Sequence, residues 1–177
     1  MIEYLILIFF LGILVKLTDF IVDEKIDVKY IDNLLGFFYG LLAAFIVLNA
    51  QIFSSMFFAV IIAVAITKKI DKVPHIVGAL TFFIIISLFG LTKIDIIQII
   101  IFIFAAVLDE IASSISGKKS GVLAKFFSLR PFLEISVFLF SIITGLWILF
   151  FGVFIFDTGY NISRFLLNRI YKLKVVE

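Results

Sequence analysis

Long apolar segments, separated by short charged connectors, fill most of the chain. A helix needs about 20 apolar residues to cross the roughly 30 Å hydrocarbon core of a bilayer. Segments of about that length predict transmembrane helices near residues 2–22, 34–49, 53–68, 75–91, 94–112 and 132–156. The pattern therefore predicts an all-α fold: a polytopic integral membrane helix bundle of about six transmembrane helices, with residues 1–177 as a single transmembrane domain.

The second and third helices are predicted from one uncharged stretch, Leu34 to Thr67. As a single helix this stretch would be about 50 Å long, which is too long for one crossing. Polar residues near its middle, among them Asn49 and Gln51, predict a turn and hence a short hairpin that either spans the membrane or re-enters it. Rows of small residues predict close packing of the two helices. These rows are Gly36, Gly40 and Ala44 on one helix and Ala59, Ala63 and Thr67 on the other.

The C-terminal segment has a different pattern, in which cationic side chains recur among apolar ones between residues 163 and 176. The cations are Arg164, Arg169, Lys172 and Lys174. This alternation is typical of an amphipathic helix that lies in the plane of the membrane interface. We therefore predict an interfacial helix over residues 163–176.

Composition restricts the protein class further. Hydrophobic residues make up 64% of the chain and charged residues 16%, whereas soluble domains average about half and about a quarter. This balance excludes a soluble enzyme and a disordered chain, and the lack of Cys excludes a disulfide scaffold and thiol chemistry. The net charge of +2 is too small to indicate a nucleic-acid partner. The partner that the composition does indicate is the lipid bilayer.

The distribution of Lys and Arg predicts an orientation, since these residues accumulate on the cytoplasmic side. With six crossings, connectors one, three and five share a side and hold nine cations, whereas the opposite connectors hold only Lys93. We therefore predict that connectors one, three and five are cytoplasmic and that the protein lies in the cell membrane. The side on which the C-terminal tail lies stays open.

Carboxylates and the single His gather at the predicted cytoplasmic helix ends. Asp19 and Asp23 share a face of the first helix, Asp109 and Glu110 end the fifth, and His75 opens the fourth. Mg²⁺ prefers hard oxygen ligands and often bridges them to substrate phosphates. We therefore predict a Mg²⁺ site at Asp19, Asp23, Asp109 and Glu110, with His75, Asp109 and Glu110 as catalytic residues.

Cationic residues that follow the fifth helix are candidates for binding a phosphate or an anionic headgroup. They are Lys118, Lys119 and Arg130. Each charged residue also has a simpler interpretation. The carboxylates can lie among the headgroups, the cations can reflect the inside-positive bias alone, and a His at a helix start is often a structural hydrogen-bonding group.

The run from Leu108 to Gly121 is similar to a segment of membrane CTP-dependent lipid kinases and cytidylyltransferases. The similarity covers 14 of the 177 residues, and Leu108 stands where those families have Gly. It implies that Asp109 lies near a metal or a nucleotide, with Lys118 and Lys119 near phosphate.

Three functions fit these features. The first is a membrane enzyme that acts on a lipid or polyprenyl phosphate through Mg²⁺ at the cytoplasmic face. The second is a small ion-coupled transporter or channel that uses the same carboxylates as an ion site. The third is a non-catalytic membrane subunit or assembly factor that binds a partner protein. The sequence leaves the oligomeric state open.

Overall fold

The computed structural model describes residues 1–24, 26, 30–68, 70, 72–90, 93–116, 126–127 and 131–176. Helices account for 90% of these residues, and none of them lies in a strand. The main elements are α1 (Ile2–Asp23), α2 (Ile31–Asn49), a 3₁₀ turn (Gln51–Phe53), α3 (Ser54–Ile66), α4 (Val73–Phe89), α5 (Ile96–Ser116), α6 (Pro131–Thr144) and α7 (Trp147–Val176). The all-α class predicted from the sequence is therefore confirmed.

Among the described residues, three helices are long and apolar enough to cross a membrane: α1, α2 and residues Ile96–Ile115 of α5. This number is lower than the six predicted. The apolar helices Gln51–Ile66, Val73–Phe89 and Pro131–Thr144 are shorter than 18 residues. At 1.5 Å per residue, the shortest of them reaches only about two-thirds of the way across the hydrocarbon. The helical part of the membrane-bundle prediction is confirmed, and its membrane part is supported by the length and apolar composition of these three helices.

Contacts divide the chain into two compact units. The first comprises Met1–Ala50, Asp71–Leu91 and Phe154–Glu177, and the second comprises Gln51–Ile70 and Thr92–Val153. In the first unit α2 packs on α1 and on α4, and in the second unit α5 packs on α3 and on α6. One boundary between the units falls after Ala50, at the turn that the sequence predicts there, and another falls within α7, between Val153 and Phe154.

Small residues on α2 let it approach α4 closely. A Cβ built on Gly36 would collide with the backbone carbonyl of Pro74, and one built on Gly40 would collide with that of Gly78. The small-residue row of α2 is therefore used, as predicted, for close helix contact, but against α4 rather than α3. The fully buried Ala59 and Ala63 belong to α3, whose main packing partner is α5.

The sixth predicted helix is interrupted, and the predicted interfacial helix is not separate. The sequence predicts a helix over 132–156 and a second over 163–176, whereas the structure has α6 ending at Thr144 and α7 running unbroken from Trp147 to Val176. The break occurs at Gly145, whose φ of +74° is a left-handed conformation that favours glycine at a helix C-terminus. The Ser141 hydroxyl donates to the carbonyl of Leu146 over 3.1 Å and stabilises this turn.

Candidate functional site

The side chains of Asp19 and His75 meet in the first unit. Asp19 lies one turn before the end of α1, and His75 lies in the first turn of α4. Nε2 of His75 is 3.2 Å from Oδ1 of Asp19, and the two side chains are 19% and 22% exposed. Two residues that the sequence analysis selected separately, one as a metal ligand and the other as a catalytic residue, are thus direct partners.

Tyr160 binds the other oxygen of the same carboxylate. Its hydroxyl donates to Oδ2 of Asp19 over 2.6 Å, a short bond as expected when the acceptor is ionised. The Lys16 ammonium lies 5.1 Å from the centre of the Tyr160 ring, within the range of a cation–π interaction. Both oxygens of Asp19 therefore have a hydrogen-bonding partner, and a cation lies one turn away along α1.

Tyr39 occupies the opposite side of the imidazole. Its hydroxyl oxygen is 3.1 Å from Nδ1 of His75 and 3.4 Å from the backbone carbonyl of Pro74. Pro74 and His75 form the beginning of α4, where a proline is tolerated because the first helical N–H groups have no partner within the helix. Both ring nitrogens of His75 therefore face polar groups.

Close backbone contacts place the two tyrosines. Tyr39 lies between Gly36 and Gly40 on α2, and both of these glycines touch the backbone of α4. A Cβ on Gly78 would collide with the Tyr39 ring, so this glycine leaves the space that the ring fills. Small residues at these positions bring the backbones of two helices together, which fixes what lies between them.

A second close contact, between α1 and α7, positions Tyr160. A Cβ on Gly12 of α1 would collide with the carbonyl of Phe156 on α7, and a Cβ on Gly159 would collide with the carbonyl of Phe9. Glycines from both helices thus bring α1 and α7 together next to the Tyr160–Asp19 bond. We call Tyr39, His75, Asp19 and Tyr160 the relay, because their side chains form one continuous series of hydrogen-bonding contacts.

The relay has the composition of a proton-transfer site. Imidazole gains and loses a proton near neutral pH, and a carboxylate beside it stabilises the protonated ring. The phenol hydroxyls at the two ends can each donate or accept a hydrogen bond. A proton on His75 can therefore be held by Asp19 and passed along the series.

Asp109 has a different environment, in the second unit. The backbone N–H of Phe132 donates to its Oδ1 over 2.9 Å and that of Leu133 donates to its Oδ2 over 2.7 Å. Pro131, the first residue of α6, has no N–H, so these two groups are the first donors that α6 presents. Asp109, which is 2% exposed, caps the N-terminus of α6 from a neighbouring helix.

The other predicted site residues are distributed differently. Glu110 is buried at 3% exposure beside Asp109 in α5, and Asp23 is exposed at the end of α1. Lys118, Lys119 and Arg130 lie outside the described residues. Within the described ranges, no three His, Asp or Glu side chains come together as a group that could hold a metal ion. Mg²⁺ binding stays a prediction.

Sequence reasoning selected Asp19 and His75 and missed both tyrosines. Aromatic residues make up 17% of the chain. In the sequence, neither tyrosine is distinguished from the other aromatic residues of the apolar helices. Their common feature is an adjacent glycine, Gly40 after Tyr39 and Gly159 before Tyr160. A tyrosine beside a close-packing glycine is the pattern that could have identified them.

No protein-family profile, curated protein or solved structure matches the chain.

Proposed function

We propose that this chain is a membrane protein of the ion-coupled transporter class, in which the Asp19–His75 couple binds and releases the coupling proton. The observation that carries the proposal is the relay: four hydrogen-bonding side chains from α1, α2, α4 and α7, joined in series within one unit of apolar helices. Ionisable groups inside membrane helices are costly, on the order of 3 kcal/mol each, and connected acidic and imidazole groups are typical of proton pathways.

Each residue has a defined part in this proposal. His75 takes up the proton, because imidazole is the side chain best suited to exchange one near neutral pH. Asp19 stabilises the charged ring at 3.2 Å. Tyr160 holds the carboxylate through its 2.6 Å bond, and Tyr39 contacts the second ring nitrogen.

The proposal includes the membrane arrangement. We propose that the shorter apolar helices complete a bundle of about six crossings together with α1, α2 and α5. We also propose that the ends of α1 and α4 that carry Asp19 and His75 face the cytoplasm, as the inside-positive rule implies. The relay then exchanges protons with the cytoplasmic side.

Proton flux in proteoliposomes tests the proposal. With a pH-sensitive dye inside the vesicles and a potassium-diffusion potential across the membrane, we expect the native protein to acidify the lumen faster than protein-free vesicles do. Asp19→Asn and His75→Gln should each reduce this rate by about tenfold or more, since a hydrogen bond to a charged group contributes about 1.5–3 kcal/mol.

Asp23→Asn is the matched control. It removes a carboxylate from the same helix, one turn further along, where the side chain is exposed. We expect this variant to keep the native rate. Native rates in Asp19→Asn and His75→Gln, or a rate for the native protein equal to that of empty vesicles, would contradict the proposal.

A second candidate is an enzyme that acts on a lipid or polyprenyl phosphate at the membrane surface. The position of the relay in the helices favours it, since Asp19 lies in the last turns of α1 and His75 in the first turn of α4. His75 would then act as a general base that Asp19 orients.

Such an enzyme should change the phosphorus NMR signal of a polyprenyl phosphate in proteoliposomes that contain Mg²⁺ and CTP, and His75→Gln should abolish the change. An unaltered signal with the native protein would exclude this candidate.

A further inference from the structure

We infer that Tyr39 is a positioning residue that fixes which nitrogen of His75 carries the proton. The inference rests on the proposed proton site and names a residue that controls it. Its basis is the two acceptors around one hydroxyl: Nδ1 of His75 at 3.1 Å and the carbonyl of Pro74 at 3.4 Å.

The first constraint on the position of the hydrogen in the neutral ring comes from Asp19. An ionised carboxylate only accepts hydrogen bonds, so the nitrogen that faces it at 3.2 Å must be the one that carries a hydrogen. That nitrogen is Nε2. In neutral His75, Nδ1 is therefore an acceptor and needs a donor.

Tyr39 supplies that donor. Its hydroxyl lies closer to Nδ1 than to the Pro74 carbonyl, and donation to Nδ1 keeps the ring hydrogen on Nε2, directed at Asp19. The two bonds support each other, because each requires the same tautomer of His75.

The Pro74 carbonyl gives Tyr39 a second position. When the ring takes up a second proton, on Nδ1, the hydroxyl oxygen of Tyr39 accepts from that N–H and the hydroxyl hydrogen turns to the carbonyl of Pro74. The only covalent bonds that change are N–H bonds of the ring, and the Tyr39 hydroxyl and both ring nitrogens each keep a hydrogen-bonding partner. Tyr39 thus keeps Nδ1 hydrogen-bonded both in the neutral ring protonated on Nε2 and in the doubly protonated ring.

Packing holds Tyr39 where this geometry requires it. The contacts of Gly36 and Gly40 with the α4 backbone set the distance between the helices, and Gly78 leaves room for the ring. The polar groups that surround His75 come from α1, α2 and α7 as well as from α4 itself. They are Asp19 and Tyr39 in direct contact, Tyr160 and Lys16 around Asp19, and Lys72 at the start of α4.

Nitrogen NMR of the full-length protein in nanodiscs tests the inference. His75 is the only histidine of the chain, so ¹⁵N-histidine labelling reports on this one ring. In the spectrum of the neutral ring we expect a single tautomer protonated on Nε2, with Nδ1 correlated to a tyrosine hydroxyl proton. Tyr39→Phe should abolish that correlation, shift the Nδ1 resonance and introduce signal from the other tautomer.

Two further variants define the outcomes. Tyr30→Phe removes an exposed hydroxyl from the same unit and should leave the native spectrum. Gly78→Ala displaces the Tyr39 ring and should reproduce the loss of the correlation without removing any polar group. A native spectrum in Tyr39→Phe, or an Nδ1-protonated ring in the native protein, would overturn the inference.

These outcomes are independent of the flux experiment. If the spectra behave as expected but Asp19→Asn and His75→Gln keep native flux, the positioning role of Tyr39 stands and the transport proposal fails. If the flux results hold and the Tyr39→Phe spectrum is native, the inference about Tyr39 fails by itself.

Discussion

Asp109→Ala is expected to cost the second unit about 2–5 kcal/mol of stability, because it leaves two part-buried backbone N–H groups at the start of α6 without their acceptor. Those groups belong to Phe132 and Leu133, at 2.9 and 2.7 Å from the carboxylate. The loss is large because Asp109 is 2% exposed, which leaves water little room to replace it. The negative charge also lies at the positive end of the α6 dipole, so its removal adds to the cost.

The measurement is the free energy of unfolding in mixed micelles, followed by the fluorescence of the single tryptophan, Trp147, which belongs to the second unit. Asp109→Asn should lie between native and Ala, since an amide has one accepting oxygen rather than two.

Asp95→Ala is the matched control for this prediction. Oδ1 of Asp95 accepts from the backbone N–H of Gln98 over 3.1 Å, so Asp95 caps α5 from its own sequence, and it does so at an exposed position. Removing an ordinary exposed cap costs about 1 kcal/mol. Equal losses for Asp95→Ala and Asp109→Ala would show that burial of the Asp109 carboxylate has no special importance for α6.

Gly40→Ala is expected to destabilise the first unit by about 1–3 kcal/mol, the range found for overpacked interiors. The added methyl group would collide with the backbone carbonyl of Gly78, which cannot turn aside as a side chain can. Alanine favours a helix over glycine by about 1 kcal/mol, and this gain opposes the collision without cancelling it. Separation of α2 from α4 should also weaken the contact between Tyr39 and His75, which the ¹⁵N spectrum of His75 would report.

Gly152→Ala is the control that compares a collision with a side chain with the collision of Gly40→Ala with a backbone carbonyl. The added Cβ would lie 2.7 Å from Cε1 of Phe53, an atom of a buried side chain, whose displacement costs less than moving the backbone of a helix. Here the helix-propensity gain should offset the crowding, and the stability should stay within about 1 kcal/mol of native. The free energy of unfolding by detergent titration, followed by circular dichroism, compares the two. A Gly40→Ala protein as stable as Gly152→Ala would show that α2 and α4 are not in backbone contact at this point.

The two units share a local arrangement that the sequence analysis did not predict. In each, an Asp near the end of a long apolar helix bonds to the first turn of a helix that has proline as its first or second residue. In the first unit Asp19 binds the His75 side chain after Pro74, and in the second Asp109 binds the backbone N–H groups after Pro131. The two carboxylates look equivalent in sequence, yet one takes part in the relay and the other stabilises a helix start.

The candidate site could be predicted only in part, because the sequence shows which side chains are ionisable but not which side chains lie beside each other. Asp19 and His75 were recognisable because ionisable residues within apolar helices are rare and costly. Tyr39 and Tyr160 were not, because tyrosine is common in such helices and a hydroxyl has a specific role only when a partner lies beside it. That Asp19 and His75 bind each other depends on how α1, α2 and α4 pack. The end of α1 at Asp23 and the start of α4 at Val73 are 50 residues apart in the sequence.

The sequence by itself determined the helical class, the approximate positions of the helices and the residues small enough for close contact. Each of these follows from local properties: the apolar length of a segment, the polarity of its ends and the size of a side chain. The tertiary structure decided that the small-residue row of α2 meets α4, that α7 continues past Phe156, and that Asp19 and Asp109 have different partners. Those outcomes depend on which helix surfaces fit together, a property of two segments at once that neither segment carries alone.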